Sequence, residues 1–113
     1  MPIAATIDVK KLRMKAKLSQ EDLAKLLGTS WVTVSRWERS IAEPAPEKLA
    51  RLHRLKELLN RIGNSIPEEE LVPFLTTPHA LLRGHRPVEL LESDYSFEDL
   101  LAFIEAAKSG DMA

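Results

Sequence analysis

Apolar residues recur at three- and four-residue intervals along most of the chain, and the stretches that break this rhythm hold most of the Pro and Gly. That period predicts helices. Asp8 caps a first one carrying Val9, Leu12 and Ala16. Ser19 opens a second, with Asp22 three residues on as capping-box partner and Leu23, Ala24 and Leu27 as its apolar stripe. Gly28 closes it, because glycine tolerates the left-handed conformation of a helix stop. Ser30 starts a third helix, reaching Arg39. The run Glu43 to Pro46 is a stiff turn. From Glu47 to Ile62 the pattern predicts the longest helix, with Leu49, Leu52, Leu55, Leu59 and Ile62 inward and Lys48, Arg51, Arg54 and Lys56 largely outward. Gly63 and Asn64 end it.

The second half is more broken. Ser65 and Pro67 lead into a short helix through Leu75, whose opening Glu68, Glu69 and Glu70 suit the positive end of the helix dipole. Thr76, Thr77 and Pro78 interrupt it. A helical turn over His79 to Leu82 precedes the loop Arg83 to Arg86, and Pro87 to Leu91 forms another short element. Ser96 is the expected cap of a last helix with Phe97, Leu100, Leu101, Ile104 and Ala107 as its stripe. No alternating pattern of strand length and no internal repeat occurs, so the fold class expected is all-α.

At 113 residues and 12.7 kDa there is room for one compact domain or two very small ones. The absence of cysteine removes disulfides, thiolate metal sites and cysteine nucleophiles, and fits a reducing compartment. No apolar run approaches the roughly 20 residues that cross a bilayer, nor does the N-terminus carry a signal-peptide pattern; a cytoplasmic protein without membrane partners is expected. The net charge of −1 divides unevenly. Residues 1–61 carry 13 Lys and Arg against 7 Asp and Glu, whereas residues 62–113 carry 3 against 10. A basic half suggests a nucleic-acid partner, and an acidic half a different role.

Within LSQEDLAKLLGTSWVTVSRWERS the spacing is specific: small Ala24 lies four residues before Gly28, and Val34 six after it. In a helix-turn-helix the small residue admits the second helix, the glycine makes the turn and the aliphatic residue locks the reading helix to the core. Leu23, Leu27 and Trp37 fill the other inward positions. From about Asp8 to Leu59 the chain resembles the Cro/C1 (Xre-type) repressor family. The resemblance implies a bundle of four or five helices that places its third helix in the major groove of double-stranded operator DNA, bound by a homodimer on two half-sites. It places Gln20 on a phosphate, aided by the start of the second helix. Trp31, Val32 and Arg36 fall where base edges are read, Arg36 suited to guanine and Val32 to a thymine methyl group. Thr29, Thr33 and Arg39 fall toward the DNA backbone, and Ser30 and Ser35 complete the DNA-binding set. For Trp31 two readings stand: an indole covering a core edge, or one contacting base or sugar. The family pairing of a basic residue in the first helix with the glutamate closing the third falls on Arg13 and Glu38. The chain departs from the family at Ser40, where a glycine is usual.

Farther on, Pro78, Gly84 and Pro87 divide the chain into short helices around Arg83, His85 and Arg86, a basic knot in acidic surroundings. Over residues 65–108 this resembles the C-terminal toxin-binding domain of Xre, MbcA and ParS antitoxins, where a proline-led turn and a glycine precede an RP-x-ELL stretch. Arg83 stands where that family more often has the first of two glycines. The resemblance implies a cognate toxin of the RES or ParT type, which consumes NAD, blocked by a toxin-binding set of Arg83, Gly84, His85, Arg86, Pro87, Ser109, Gly110 and Asp111. Residues 1–62 are then a DNA-binding domain, 65–113 a toxin-binding one, and the chain an antitoxin that represses its own operon. The alternative is a stand-alone repressor whose acidic half dimerises or senses a ligand. His53, His79 and His85 lack metal-ligand spacing and are expected to be solvated or capping. No phosphate loop or serine elbow occurs. A non-enzyme without cofactor or metal is expected.

Overall fold

The computed structural model describes residues 7–110. Among them six α-helices and two 3-10 turns account for the regular structure: α1 (Val9–Lys15), α2 (Gln20–Leu27), α3 (Trp31–Glu38), α4 (Pro46–Ile62), α5 (Glu68–Thr76), the turns Ala80–Leu82 and Pro87–Glu92, and α6 (Asp94–Ser109). The all-α expectation holds. The chain forms two compact units, Met1–Lys56 and Glu57–Ala113, so the division falls inside α4 rather than in a linker after it.

In the first unit, α1 and α2 both pack on α3. Their boundaries follow from local chemistry. Asp8 accepts from the Lys11 amide at 3.0 Å, and Ser19 and Asp22 close a reciprocal capping box. Gly28 stops α2 at φ 68°. Lys48 does not point to solvent as expected: its Nζ donates to the Leu27 carbonyl at 2.9 Å, placing a cation on the negative end of α2. Leu23, Leu26, Leu27, Val34, Leu52 and Leu55 are fully buried, and Trp37 lies beside them in this core.

In the second unit, α6 packs on both 3-10 turns, and α5 on the second of them. Leu58, Ile62, Leu75, Leu91, Leu100 and Ile104 are fully or almost fully buried. Three sequence expectations change here. Leu58, not Leu59, is the inward leucine of α4, and Phe103 takes the core place assigned to Leu101 and Ala107. Ser93 rather than Ser96 caps α6, accepting from the Ser96 amide at 3.1 Å, while Ser96 turns its hydroxyl to the Leu90 carbonyl at 3.0 Å. Helix α5 tolerates Pro73 and ends where side chains take its last carbonyls: Thr76 donates to Val72, Thr77 to Pro73 and His79 to Phe74. A carbonyl only accepts, so Nε2 of His79 carries its proton. The imidazole is half-buried against Phe74 and Phe103, with ring centroids 5.1 and 5.2 Å away.

Candidate functional site

Helix α3 is fixed from three directions. Val34 and Trp37 seat it on the core. At its start Ser30 accepts from the Thr33 amide, and the two hydroxyls lie 3.0 Å apart, so the side chains of this pair first serve the helix end. At its end Glu38 joins all three N-terminal helices. Arg13 of α1 donates to both of its oxygens, Nε to Oε2 at 2.6 Å and Nη2 to Oε1 at 3.1 Å, and reaches the Leu18 carbonyl at 2.9 Å. Gln20 of α2 donates to Glu38 Oε1 at 3.1 Å. Burial pushes the Glu38 carboxyl up, but the hydrogen bonds from Arg13 and Gln20, with the charges of Arg13 and Lys10, outweigh it and hold the pKa below the usual carboxylate value. The hydrogen bond to Glu38 likewise raises the Arg13 guanidinium further, against the opposing effect of burial.

What α3 leaves exposed is one face. Trp31 shows 52% of its surface and Val32 39%, and Arg36 is exposed one turn beyond Val32, making no side-chain hydrogen bond or ion pair among the described residues. At this exposure the indole has about half its surface free to meet a partner and the rest covered by the protein, so both readings of Trp31 stand. Arg39 is exposed at the C-cap, and Thr29 and Ser35 are half-buried beside the face. Gln20 sits at the first position of α2 as expected, with its amide tied to Glu38. Ser40 adopts φ 58°, taking up the left-handed conformation that the glycine of the family would hold freely.

The loop from His79 to Arg86 has a second kind of geometry. His79 N bonds His85 O, Gly84 N bonds His79 O, and the amides of Leu82, Arg83 and His85 are all paired within the loop. Arg83 and Gly84 are successive left-handed residues at φ 59° and 81°. Arg83 therefore takes the conformation of the glycine it replaces, at a cost of about 1–2 kcal/mol for a side-chain-bearing residue. Part of the basic knot is tied to a residue that sequence reasoning missed. Glu89 accepts from Arg86 Nε at 2.7 Å, lies 3.1 Å from His85 Nδ1, and has its carboxyl held down at about 2 by those two side chains, Arg86 first. The i+3 and i+4 spacing of Glu89 from Arg86 and His85 was the available signal. Arg83 makes no side-chain bond among the described residues, and Leu81 beside it is 67% exposed. Pro87, expected on the partner-facing surface, is fully buried, so it shapes the loop from beneath and its ring is closed to a partner. Ser109 donates to the Ala106 carbonyl and Gly110 caps α6, whereas Asp111 lies outside the described residues. His53 is half-buried on α4, and among the described residues no three His, Asp or Glu side chains are grouped to hold a metal ion. None of the described helices is long and apolar enough to cross a membrane.

The chain is 29% identical over 93 residues, 82% of its length and 78% of the relative's, to the “Probable mycobacterial cidal antitoxin” of Mycobacterium tuberculosis. Its fold superposes with a TM-score of 0.72 on a chain of the crystal structure of the M. tuberculosis MbcT-MbcA toxin-antitoxin complex, at 21% identity and with both chains fully covered. Residues 9–66, which contain the capped α2, the Gly28 turn and the locked α3, match the Helix-turn-helix family (HTH_3). The chain belongs to the helix-turn-helix family, in its Cro/C1 type.

Proposed function

We propose that this chain is the antitoxin of a toxin-antitoxin pair: it binds and blocks a cognate toxin and represses its own operon by binding operator DNA. The observation that carries this reading is the likeness to a named antitoxin over 93 residues, more than either compact unit contains, so the likeness is not confined to the DNA-reading part. Residues 1–62 act on DNA as a homodimer. Trp31, Val32 and Arg36 face bases, while Gln20, Thr29, Ser30, Thr33, Ser35 and Arg39 lie along the phosphates. Residues 65–113 act on the toxin, a RES or ParT-type NAD consumer, through the knuckle around Arg83. Of the basic residues there, Arg83 has the charge left to offer, because His85 and Arg86 already share Glu89. The protein works in the cytoplasm by occupying surfaces and carries out no chemistry of its own.

Co-expression with the protein encoded beside it tests the reading. The expected result is rescue of growth, co-purification of the two proteins, and retardation of a duplex from upstream of the operon. A neighbour that is harmless alone and does not co-purify would contradict the antitoxin reading and leave a plain repressor.

A further inference from the structure

On α3, Val32 and Arg36 stand four residues apart, hence one above the other on the same exposed stripe, opposite the buried Val34 and Trp37. Trp31 flanks Val32 and is more exposed than it. Two consecutive apolar side chains in the first turn of a reading helix have one complementary feature to meet among the base edges of the major groove. The edges of guanine, adenine and cytosine present polar donors and acceptors, and the apolar group there is the C5-methyl of thymine. Cytosine acquires the same group when methylated at C5. Arg36, one turn on and unpaired among the described residues, supplies the fork that suits guanine O6 and N7.

We propose that Trp31, Val32 and Arg36 form a composite reader for a 5-methylpyrimidine and a guanine on neighbouring base pairs, so that operator affinity depends on the C5-methyl group itself and responds to cytosine methylation. This rests on the DNA-binding reading above. Val32 contacts the methyl, Trp31 closes over it and excludes water, and the guanidinium bonds the adjacent guanine. The cap formed by Ser30 and Thr33 holds the first turn in place, so the apolar pair is presented without further ordering.

The test uses the full-length chain and a randomised duplex pool, from which the preferred half-site is selected. That duplex is then synthesised with thymine or uracil at the selected pyrimidine, and with cytosine or 5-methylcytosine there opposite guanine. The expected result is about fourfold weaker binding for uracil than for thymine, corresponding to about 0.8 kcal/mol for one buried methyl, and a similar gain for 5-methylcytosine over cytosine. Val32→Ala brings both ratios close to one and Trp31→Ala lowers them, whereas Arg36→Ala weakens all four duplexes alike. A thymine effect without a cytosine effect assigns the reader to thymine alone and overturns the response to methylation. Sequence-specific binding that is equal for thymine and uracil overturns the proposal while leaving the DNA-binding reading intact. A pool that yields no preferred sequence overturns both.

Discussion

The two units are held by different physics. In the first, a single carboxylate, Glu38, collects Arg13 and Gln20 from two other helices with its side chain only 5% exposed, so one part-buried polar network fixes the orientation of α3. In the second, charged pairs lie at the surface: Glu89 with Arg86, and Arg61 with Glu57 and Glu105, where solvent screens them. Its order comes from apolar packing around Leu91, Leu100 and Phe103 and from side chains that seal helix ends. The lesson is that similar-looking ion pairs have unequal weight. Losing one partner of the inner network strands a desolvated charge, whereas losing a surface partner exposes nothing that water cannot solvate.

The sharpest way to break this contrast is Arg13→Ala, which leaves the part-buried Glu38 without its ion-pair partner. It should destabilise the first unit by about 2 kcal/mol, the scale of hydrogen bonds to a charged group, read as a lower urea midpoint. Glu89→Gln, by comparison, should leave the midpoint nearly unchanged. The Arg36 prediction comes next: Arg36→Ala should weaken operator binding by about 1–3 kcal/mol and relax one base position without changing the urea midpoint.

Smaller in size but opposite in sign are changes at two of the three side-chain-bearing left-handed residues among those described, Ser40 in the first unit and Arg83 in the second. Ser40→Gly should raise stability by about 1 kcal/mol. Arg83→Gly should do the same for the second unit, by about 1 kcal/mol, while weakening the toxin complex, because the strained residue is the one that carries the free charge. A gain in stability together with a loss of binding is the signature expected of Arg83.

Each unit also holds a carboxyl whose pKa is lowered. The stability that Glu38 contributes is present above the ordinary carboxylate value and is lost as pH falls through its lowered pKa, whereas the surface pair of Glu89 is screened by solvent and carries little stability to lose. The Glu89 carboxyl itself is held down at about 2, chiefly by the hydrogen bond from Arg86. An NMR titration placing the Glu89 carboxyl near 2 supports its bonds to Arg86 and His85, and a value near 4.5 contradicts them.

Much of the first unit was legible because its signals are local: Ser19 with Asp22, Gly28, and the offsets of Ala24 and Val34 from that glycine. The Arg13–Glu38 pair was legible only through resemblance, since 25 residues separate its members. Lys48 was misjudged for the same reason, because its partner Leu27 lies 21 residues away and nothing in the local pattern marks it. In the second unit the errors cluster where two equivalent residues stand close together. Leu58 and Leu59 both fit the helical stripe, and Ser93 and Ser96 both precede the apolar run. A 3.6-residue period does not decide between such neighbours; for the serines, the Leu90 carbonyl that takes the Ser96 hydroxyl does. Pro87 was misassigned because punctuation in a sequence marks a loop without saying which side of it is buried.

On the proposed function, one chain carries two separable binding surfaces, and this separability can be measured. It is tested most directly by measuring operator affinity and toxin affinity side by side for full-length Arg36→Ala and Arg83→Ala. Arg36→Ala should lose operator affinity and keep the toxin, and Arg83→Ala should do the reverse. Loss of both activities in either correctly folded variant, or of neither in both, would contradict it.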